Sequence, residues 1–258
     1  MTDQSGTAVV ATAQIAGTRD YQEDMMAVHA LAADAGKRAG ERLLVLADGM
    51  GGHIGGEVAS RLVVEQFCQD YLNSQADVVG ALRSSLNSAN EQLAEAVVET
   101  PKLRGMGTTL IACVVRGSDF YWISIGDSPL WLYRGGSLQR LNADHSMLPL
   151  LDEMVSSGEM SSEAAQTDMR RHMLRSAVAG KVMELVDLCN EPCRLQADDV
   201  VILASDGVET LAEDALIAVL EKRHEQTPQQ LADNIMARIE AAGNSAQDNA
   251  SIILYLCE

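Results

Sequence analysis

Aromatic side chains are scarce in this chain of 258 residues, since phenylalanine, tryptophan and tyrosine together make up only 3% of it. Hydrophobic residues nevertheless account for 47%, so the chain can bury a sizeable core and is not expected to be disordered. That core must be built from Leu, Val, Ile, Ala and Met. Prolines number only five, and the sequence has no repeat, low-complexity tract or proline-rich linker. We therefore expect a single domain over residues 1–258.

Basic residues are also in short supply, because 19 Lys and Arg stand against 37 Asp and Glu, for a formal net charge of −18. A surface this acidic repels nucleic acid and anionic membranes at long range, so neither is expected as a partner. A phosphorylated substrate is not excluded, because bound divalent cations reverse the sign of a small site.

Long hydrophobic runs are absent too, since none approaches the roughly 18 residues of a membrane span. The first seventeen residues lack the basic region of a signal peptide. The five cysteines are an odd number without a CxxC pair, and we expect most of them to be buried thiols of a reducing compartment. Cys189 and Cys193 leave a zinc pair conceivable, but no second pair has matching spacing. We expect a cytoplasmic protein.

Six apolar runs rich in Val, Ile and Leu predict β-strands. They are Leu43–Ala47, Thr108–Val115, Phe120–Ile125, Leu130–Tyr133, Val200–Ala204 and Ser251–Leu256. Gly135-Gly136 predicts a tight hairpin between the fourth run and residues 138–141.

Helical spacing of apolar residues predicts four helices. The first two are marked by Val58, Leu62, Val63, Phe67 and Tyr71 and by Val79, Leu82, Leu86, Leu93 and Val97. The other two cover about 212–222 and 228–242, where Thr227 and Pro228 are typical of a helix start. Because helix pairs are separated from runs of strands, the order predicts an α+β fold of antiparallel sheets covered by helices.

Carboxylates at the ends of apolar runs are the informative feature. Asp48, Asp127 and Asp206 each end such a run, and Asp248 precedes the last one. Each alone is more simply explained as a turn or helix cap. Four acids in one recurring place, where burial is costly without compensation, favour a shared site for a hard cation, Mg²⁺ or Mn²⁺.

A glycine cluster surrounds the first of these acids, in DGMGGH at 48–53 followed by two more glycines at 55–56. It is neither a Walker A loop nor GxGxxG, so nucleotide binding is not supported. Glycine permits close approach of the backbone to a ligand, so a carbonyl in this loop is a candidate to join Asp48 in holding a cation.

This motif resembles the signature of bacterial members of the protein phosphatase 2C (PPM) family. Further blocks follow in family order, from about residue 12 to 256: Gly17-Thr18-Arg19 with Glu23-Asp24, Gly107-Thr108-Thr109, Gly126-Asp127-Ser128, Asp144-His145-Ser146, Ala204-Ser205-Asp206-Gly207 and Asp248-Asn249. The resemblance implies a four-layer αββα sandwich, in which helix pairs flank two antiparallel sheets. It also implies metals at one end of the sheets and a flap subdomain at about 144–178.

The activity implied by the resemblance is hydrolysis of phosphoserine and phosphothreonine on proteins by a metal-activated water, reversing a bacterial Ser/Thr kinase. Two or three Mn²⁺ or Mg²⁺ ions per chain are implied. Their ligands would be Asp48 bridging two ions, the Gly49 carbonyl, Asp206, Asp248, Glu23 through water, and Asp127 with Asp206 at a third ion. Arg19 would hold the substrate phosphate, although a surface salt bridge to Asp20 or Glu23 is an equal alternative from the sequence alone. Arg19, Asp48, Asp206 and Asp248 are therefore the expected catalytic residues.

Two departures from the family pattern affect these expectations. Met50 stands where eukaryotic relatives carry a histidine, which leaves the general acid open between a metal-bound water and His53; a hydrogen bond within the loop is the simpler role for His53. Pro129 stands where the family often has arginine, so we expect a weakened ion pair near Asp127 or a changed substrate choice.

The implied flap is rich in methionine and contains Arg170, Arg171 and Arg175, a basic cluster that we expect to attract a phosphoprotein. The methionines either make the flap adaptable or simply pack under a short helical subdomain. The physiological substrate is not specified, and a role in type VI secretion is one possibility by family analogy. We expect a monomer.

Three other functions remain open at this point. A two-metal hydrolase of small phosphate esters would share the acids but not prefer phosphoproteins. An inactive module that binds phosphoserine would be expected to lack a metal acid, and none is missing here. A calcium-binding protein is disfavoured because no DxDxDG loop occurs.

Overall fold

The computed structural model describes residues 9–32, 36–51 and 55–257. Within these ranges the chain forms twelve strands: β1 Val9–Ile15, β2 Asp24–Ala30, β3 Glu41–Met50, β4 Gly107–Thr108, β5 Leu110–Arg116, β6 Asp119–Ile125, β7 Leu130–Arg134, β8 Ser137–Arg140, β9 Asp187–Leu188, β10 Cys193–Arg194, β11 Val200–Ala204 and β12 Ala250–Leu256. The same ranges contain six α-helices: α1 Gly55–Asn73, α2 Val78–Glu99, α3 Leu148–Ser156, α4 Ser162–Thr167, α5 Glu213–Leu220 and α6 Pro228–Ala241. No helix in the described part of the chain is both long enough and apolar enough to span a membrane.

The strands form two antiparallel sheets. One has the order β1-β12-β11-β7-β8, which we call sheet A. The other, sheet B, has the order β10-β6-β5-β3-β2, with β4 added to β3 and β9 added to β6. All pairings between named strands are antiparallel, as the arrangement of helix pairs and strand runs predicts.

Continuous apolar runs arise in the central strands because both of their faces are buried. In β3, Leu43 and Val45 pack against α1 and α2, whereas Leu44 and Leu46 point into the space between the sheets. Successive side chains of a strand face opposite ways, so a run with no polar alternation is required here. The result is an αββα sandwich with one core between the sheets and one under each helix pair, which confirms the predicted fold.

Helix α6 begins as the sequence predicts. The Thr227 hydroxyl accepts from the Gln230 amide, the Gln230 side chain accepts from the Thr227 amide, and Pro228 takes the first helical position. This capping box satisfies two backbone donors that a helix start otherwise leaves free. The apolar face of α6 then packs with α5 on sheet A.

Several predicted boundaries are wrong. The run from Thr108 to Val115 is interrupted at Thr109, which separates β4 from β5. Strand β3 continues past Ala47 to Met50, so Asp48 lies within a strand and its dipeptide with Gly49 is not a turn. The short β9 and β10 and the two outer strands β1 and β2 are not among the predicted runs.

The cysteines differ in part from expectation. All five are free thiols, of which Cys68 and Cys113 are buried and the other three are half-buried. The expectation of mostly buried thiols is therefore wrong for Cys189, Cys193 and Cys257. No group of three potential metal-binding side chains, these cysteines included, converges on one point in the described ranges, so no zinc site is supported there.

Candidate metal centre

Topology brings the predicted acids to one edge of the sandwich. Asp24 lies opposite Asp48 in the register of β2 and β3. Asp206 follows the end of β11 and Asp248 precedes the start of β12, and these two strands pair antiparallel with Ala204 opposite Ile252. An antiparallel pair places the end of one strand beside the start of the next, so acids distant in sequence meet at the same edge.

A cleft of about 550 Å³ lies at this edge and is bounded by both sheets. Its lining includes every residue that the sequence predicted for the site: Arg19, Glu23, Asp48, Gly49, Asp127, Asp206 and Asp248. The same cleft is also lined by Met50, Gly51, Thr109, His172, Met173, Leu174 and Asn249. His53 lies outside the described residues.

The backbone of Asp48 is held by two threonines of the Gly-Thr-Thr block. The Thr109 hydroxyl accepts from the Asp48 amide at 3.0 Å, and the Thr108 hydroxyl donates to the Asp48 carbonyl at 2.8 Å. The Thr109 hydroxyl is also 2.7 Å from that of Ser128. These bonds leave the Asp48 carboxylate free to face the cleft and explain why the strand breaks at Thr109.

Glycines allow the close contacts around Glu23. A Cβ on Gly49 would lie 2.1 Å from the Gly56 carbonyl oxygen, and a Cβ on Gly56 would lie 2.3 Å from Glu23 Oε1. Both distances are shorter than real Cβ contacts allow, so no larger residue fits either position without movement. The glycine cluster therefore packs the start of α1 directly against β3 and the Glu23 carboxylate.

Asn249 joins the two sheets behind the acids. Its side-chain oxygen accepts from the Glu23 amide at 2.8 Å, and its nitrogen donates to the carbonyls of Ala16 and Tyr21, each at 2.9 Å. Asn249 belongs to the Asp248-Asn249 block, whose position in the sequence was noticed although this bridging role was not.

The carboxylates carry more negative charge than the cleft compensates. Burial, and then the charges of Asp24 and Asp206, raise the pKa of Asp48 well above its usual range. Burial, and then Asp206 and Asp144, raise the pKa of Asp127 to about 7. Burial and Asp248 raise the pKa of Asp206. Mutual repulsion of this kind, in acids withdrawn from water, is what a bound cation would relieve.

Two further acids at this edge, Asp24 and Glu23, have neighbours that partly oppose the rise in their pKa. Burial raises the pKa of Asp24 to about 6, although hydrogen bonds from Ser251 and Ser205 oppose the shift; the Ser205 hydroxyl donates to Asp24 at 2.8 Å. Burial raises the pKa of Glu23, against the opposing effects of Arg19 and of the nearby Gly56 amide. Glu23 Oε1 is nonetheless buried without a well-formed hydrogen bond, which is the environment expected of an oxygen that requires a ligand.

The chemistry of this donor set fits a hard divalent cation, because it consists of carboxylate and carbonyl oxygens. No three carboxylates, imidazoles or thiols in the described ranges converge closely enough to form a complete ligand set alone. Mg²⁺ and similar ions usually retain several waters, so a cation here would need water and backbone oxygens to complete its shell.

Arg19 forms a salt bridge to a partner that the sequence did not indicate. Its Nη2 donates to Asp248 Oδ2 at 2.5 Å, and both side chains are substantially exposed, at 53% and 40%. This contact, more than any other, raises the pKa of Arg19. The alternative considered from the sequence, a salt bridge to Asp20 or Glu23, is therefore wrong in its partner, because a residue 229 positions away occupies that place.

His145 of the Asp-His-Ser block supports the loop that carries Asp127. Its Nδ1 accepts from the Gly126 amide at 3.2 Å, and its own amide donates to the Gly126 carbonyl at 3.1 Å. Burial lowers the His145 pKa, which keeps Nδ1 available as an acceptor. Gly126 itself adopts φ of +104° and lies against Thr109, a conformation that other residues rarely adopt.

The 144–178 segment lies beside the cleft and contains α3 and α4. Met147, Met154 and Met160 are half-buried, whereas Met169 is 96% and Met173 is 57% exposed. Packing under the helices therefore accounts for the first three methionines only. Met173 and His172 line the cleft, a placement that no pattern in the sequence indicated.

A second cavity, of about 630 Å³, lies between α2 and residues 181–188. It is larger than the acidic cleft, yet its lining contains no acid, no histidine and no cysteine. Chemistry rather than size therefore identifies the candidate site.

Comparison with known proteins agrees with this geometry. The family model described as protein phosphatase 2C matches residues 17–247. The serine/threonine phosphatase stp of Listeria welshimeri is 31% identical over 224 residues, which cover 82% of this chain and 83% of that protein. The serine/threonine protein phosphatase PstP of Mycobacterium tuberculosis is 35% identical over 180 residues, 69% of this chain, so the match spans about a third (34%) of the length of PstP.

Solved structures agree as well. The catalytic domain of serine/threonine protein phosphatase PstP in complex with two manganese ions superposes with a TM-score of 0.72 at 28% identity, covering 96% of this chain and 97% of that one. PppA, a regulatory component of T6SS in Pseudomonas aeruginosa, superposes with a TM-score of 0.74 at 27% identity, covering 97% and 98%.

Proposed function

The chain belongs to the protein phosphatase 2C family, and from this premise we propose that it hydrolyses phosphoserine and phosphothreonine on proteins with divalent cations as cofactors. One observation carries the proposal, namely that the cleft brings one arginine together with five acids: Glu23, Asp48, Asp127, Asp206 and Asp248. Such a cleft repels a phosphate group unless cations are added to it. With cations bound, it attracts phosphate and orients it.

The ligand roles proposed for the residues that face the cleft are those implied by the family resemblance. Asp48, on the inner strand β3 of sheet B, would bridge two cations, and the adjacent Gly49 carbonyl would bind one of them. Asp206 and Asp248, which flank strands β11 and β12 of sheet A, would bind the other. Glu23 would act through water, and its buried oxygen without a well-formed hydrogen bond supports a role as acceptor. When bound, two such cations supply an activated water and stabilise negative charge on the phosphate.

Arg19 would bind the substrate phosphate. Its guanidinium is paired with Asp248, which we propose to be a metal ligand. If Asp248 held a cation, the Arg19 guanidinium would be free to offer two parallel donors to phosphate oxygens. Because the Arg19 side chain is half-exposed, this movement needs no repacking of the core.

Two or three Mn²⁺ or Mg²⁺ ions per chain are proposed. A pair of ions is supported by the manganese complex of the PstP catalytic domain. A third ion would be held by Asp127 together with Asp206. Burial raises the pKa of both acids, and the charge of Asp206 further raises the pKa of Asp127.

The substrate would be a phosphorylated protein acting downstream of a separate Ser/Thr kinase. Arg170, Arg171 and Arg175 lie on the 144–178 segment beside the cleft, although Arg170 is partly neutralised by Asp168 at 2.7 Å. Similarity to PppA supports a role in T6SS regulation. We further propose that the protein is a cytoplasmic monomer.

The test is release of phosphate from a threonine-phosphorylated peptide, with and without Mn²⁺, by the wild type and by Asp206→Asn. We expect Mn²⁺-dependent turnover that falls by at least ~10³-fold in the variant, since removing a ligand of a catalytic cation forfeits several kcal/mol of transition-state stabilisation. Asp214→Asn, an equivalent change at an exposed position in α5, should retain wild-type activity.

Two outcomes would point elsewhere. Absence of turnover with any divalent cation, in protein shown to be folded by its thermal unfolding, would favour a phosphoserine-binding module. Equal kcat/KM for p-nitrophenyl phosphate and for a phosphoprotein would favour a hydrolase of small phosphate esters.

A further inference from the structure

The loop that carries Asp127 has no side-chain cation of its own. It runs from Gly126 to the start of β7, and Pro129 follows Ser128 within it. Proline offers neither a side-chain donor nor a backbone N–H. The Pro129 carbonyl accepts from the Ala204 amide at 3.1 Å, which extends the pairing of β7 with β11 by one hydrogen bond and holds Pro129 at the start of β7.

Arg140, at the end of β8, supplies a cation to this loop from the neighbouring strand. Its Nη2 donates to the Asp127 carbonyl at 2.5 Å. Its Nη1 lies 3.6 Å from Asp144 Oδ2 and 3.9 Å from Glu209 Oε1. Its Nε also donates to Asn142 Oδ1 at 3.4 Å. One guanidinium thus contacts four oxygen acceptors, and its side chain is only 26% exposed.

Strand register explains how Arg140 reaches this place. Arg140 lies directly opposite Trp131 in the antiparallel pair of β7 and β8, so both side chains project from the same face of the sheet. Residue 129, two positions before Trp131, shares that face because side chains alternate along a strand. Arg140 therefore points to the side of the sheet on which a side chain at position 129 would lie.

We propose that Arg140 is a positioning residue that fixes the Asp127 peptide, and so sets the affinity of the cleft for the cation that Asp127 holds. The proposal rests on the function proposed above, in which Asp127 is a metal ligand. Asn142, two residues further, holds the same loop by accepting from the Leu130 amide at 2.8 Å and donating to the Ser128 carbonyl at 2.9 Å. Only Arg140 contacts Asp127 itself among these supports.

An electrostatic role and a positioning role of Arg140 predict opposite changes in metal affinity when Arg140 is replaced. A cation near a metal site repels the metal, and removing it also exposes the charges of Asp144 and Glu209, so a purely electrostatic role predicts tighter metal binding. A positioning role predicts weaker binding, because the Asp127 peptide loses its anchor. Outer contacts that orient metal ligands typically change metal affinity by roughly 10–100-fold, so the two roles are distinguishable by sign.

The experiment is equilibrium binding of Mn²⁺, with free Mn²⁺ measured by electron paramagnetic resonance, for the wild type, Arg140→Gln and Arg140→Lys. Asp127→Asn identifies the class of ion that depends on Asp127. For the ions that depend on Asp127, we expect the Kd to rise about 10-fold in Arg140→Gln. The Kd should rise less in Arg140→Lys, because lysine keeps the positive charge and a donor group. Arg61→Gln, which removes an arginine paired with Glu65 on α1, serves as the matched control and should bind Mn²⁺ as the wild type does.

Unchanged or tighter binding of that class in Arg140→Gln would overturn the proposal, as would an Asp127→Asn protein that binds as many ions as the wild type. A wild type that binds no Mn²⁺ at all would instead contradict the function proposed above. Thermal unfolding in EDTA shows whether each variant is folded. If Arg140→Gln does not fold, the Kd of Arg140→Lys for Mn²⁺ is used instead: a higher Kd supports the proposal, and an unchanged or lower Kd overturns it.

Discussion

Strand β3 carries an acid near each of its ends, Glu41 fully buried and Asp48 half-buried, and the surroundings of the two acids are opposite in charge. Glu41, at the start, is fully buried but accepts from the Tyr71 hydroxyl at 2.8 Å and lies 3.5 Å from Arg38 and 3.6 Å from Arg116. Asp48, near the other end, is surrounded chiefly by other carboxylates, which raise its pKa together with burial. The protein compensates one acid internally and does not compensate the other, so an acid within an apolar strand does not by itself mark a functional site.

The largest effect should come from Asp48→Asn. Because Asp48 is proposed to bridge two cations, its loss should lower Mn²⁺-dependent phosphate release by at least ~10³-fold. The metal-free protein should unfold at the same or a higher temperature than the wild type, since the substitution removes a source of repulsion. Calorimetry in EDTA checks the second point, and a clearly lower Tm would show that Asp48 is compensated within the protein after all.

Glu41→Gln should lower the stability of the protein and leave its activity unchanged, the reverse of what is expected for Asp48→Asn. It leaves Arg38 buried beside a neutral partner, which typically costs about 3 kcal/mol of unfolding free energy. The folded fraction should keep its activity and its Mn²⁺ dependence, because Glu41 lies at the opposite end of the strand. Urea unfolding monitored by circular dichroism measures the loss, and a variant as stable as the wild type would show that Arg38 and Arg116 do not depend on this acid.

The pH dependence of stability should differ with and without metal. Acids whose pKa is raised in the folded state, such as Asp127 to about 7 and Asp24 to about 6, bind more protons when folded than when unfolded. Stability must then fall as pH rises from the unfolded value near ~4 to about 7. We expect the Tm in EDTA to drop by ~5 °C between pH 5 and 8, and Mn²⁺ to remove most of that drop. A Tm in EDTA that stays level or rises over this range would contradict the uncompensated state of the cleft.

The smallest effect should come from Tyr71→Phe, which removes only a hydroxyl that donates to Glu41 at 2.8 Å and accepts from Arg38 Nη1 at 3.2 Å. A hydrogen bond to a charged group is worth about 2 kcal/mol, so the variant should lie between the wild type and Glu41→Gln in urea. Ser205→Ala is the counterpart at the other end, where the hydroxyl donates to Asp24. If Tyr71→Phe were as damaging as Glu41→Gln, the hydroxyl rather than the ion pairs would be the main compensation.

Much of the fold was predictable because the central strands have two buried faces. The runs at 43–47, 200–204 and 251–256 stand out as unbroken apolar segments for that reason. The outer strands β1 and β2 were missed because their exposed positions mix Thr, Gln and His with apolar residues, which weakens the pattern. The predicted run Thr108–Val115 includes Thr109 in one continuous strand, since no sequence pattern shows that the Thr109 hydroxyl bonds to the Asp48 amide.

The site was predictable as a set of acids but not as a network. Recurrence of Asp at strand ends and the family blocks identified Asp48, Asp127, Asp206 and Asp248, all of which line one cleft. Their roles as ligands stay predictions. The Arg19–Asp248 contact joins residues 229 positions apart, and the Arg140 contact to Asp127 depends on hairpin register, so only three-dimensional structure could reveal either.

The position of β12 has a consequence for synthesis of the protein on the ribosome. Residues 250–256 do not lie at the margin of sheet A but between β1 and β11, so β1 has no partner in that sheet until residues 250–256 have been translated. Asp248 also emerges only then. Sheet B can assemble earlier, from residues 24–125 with two late additions. A nascent chain could therefore form most of sheet B while the cleft still lacks Asp248, and chaperones would meet an unpaired β1 during that interval.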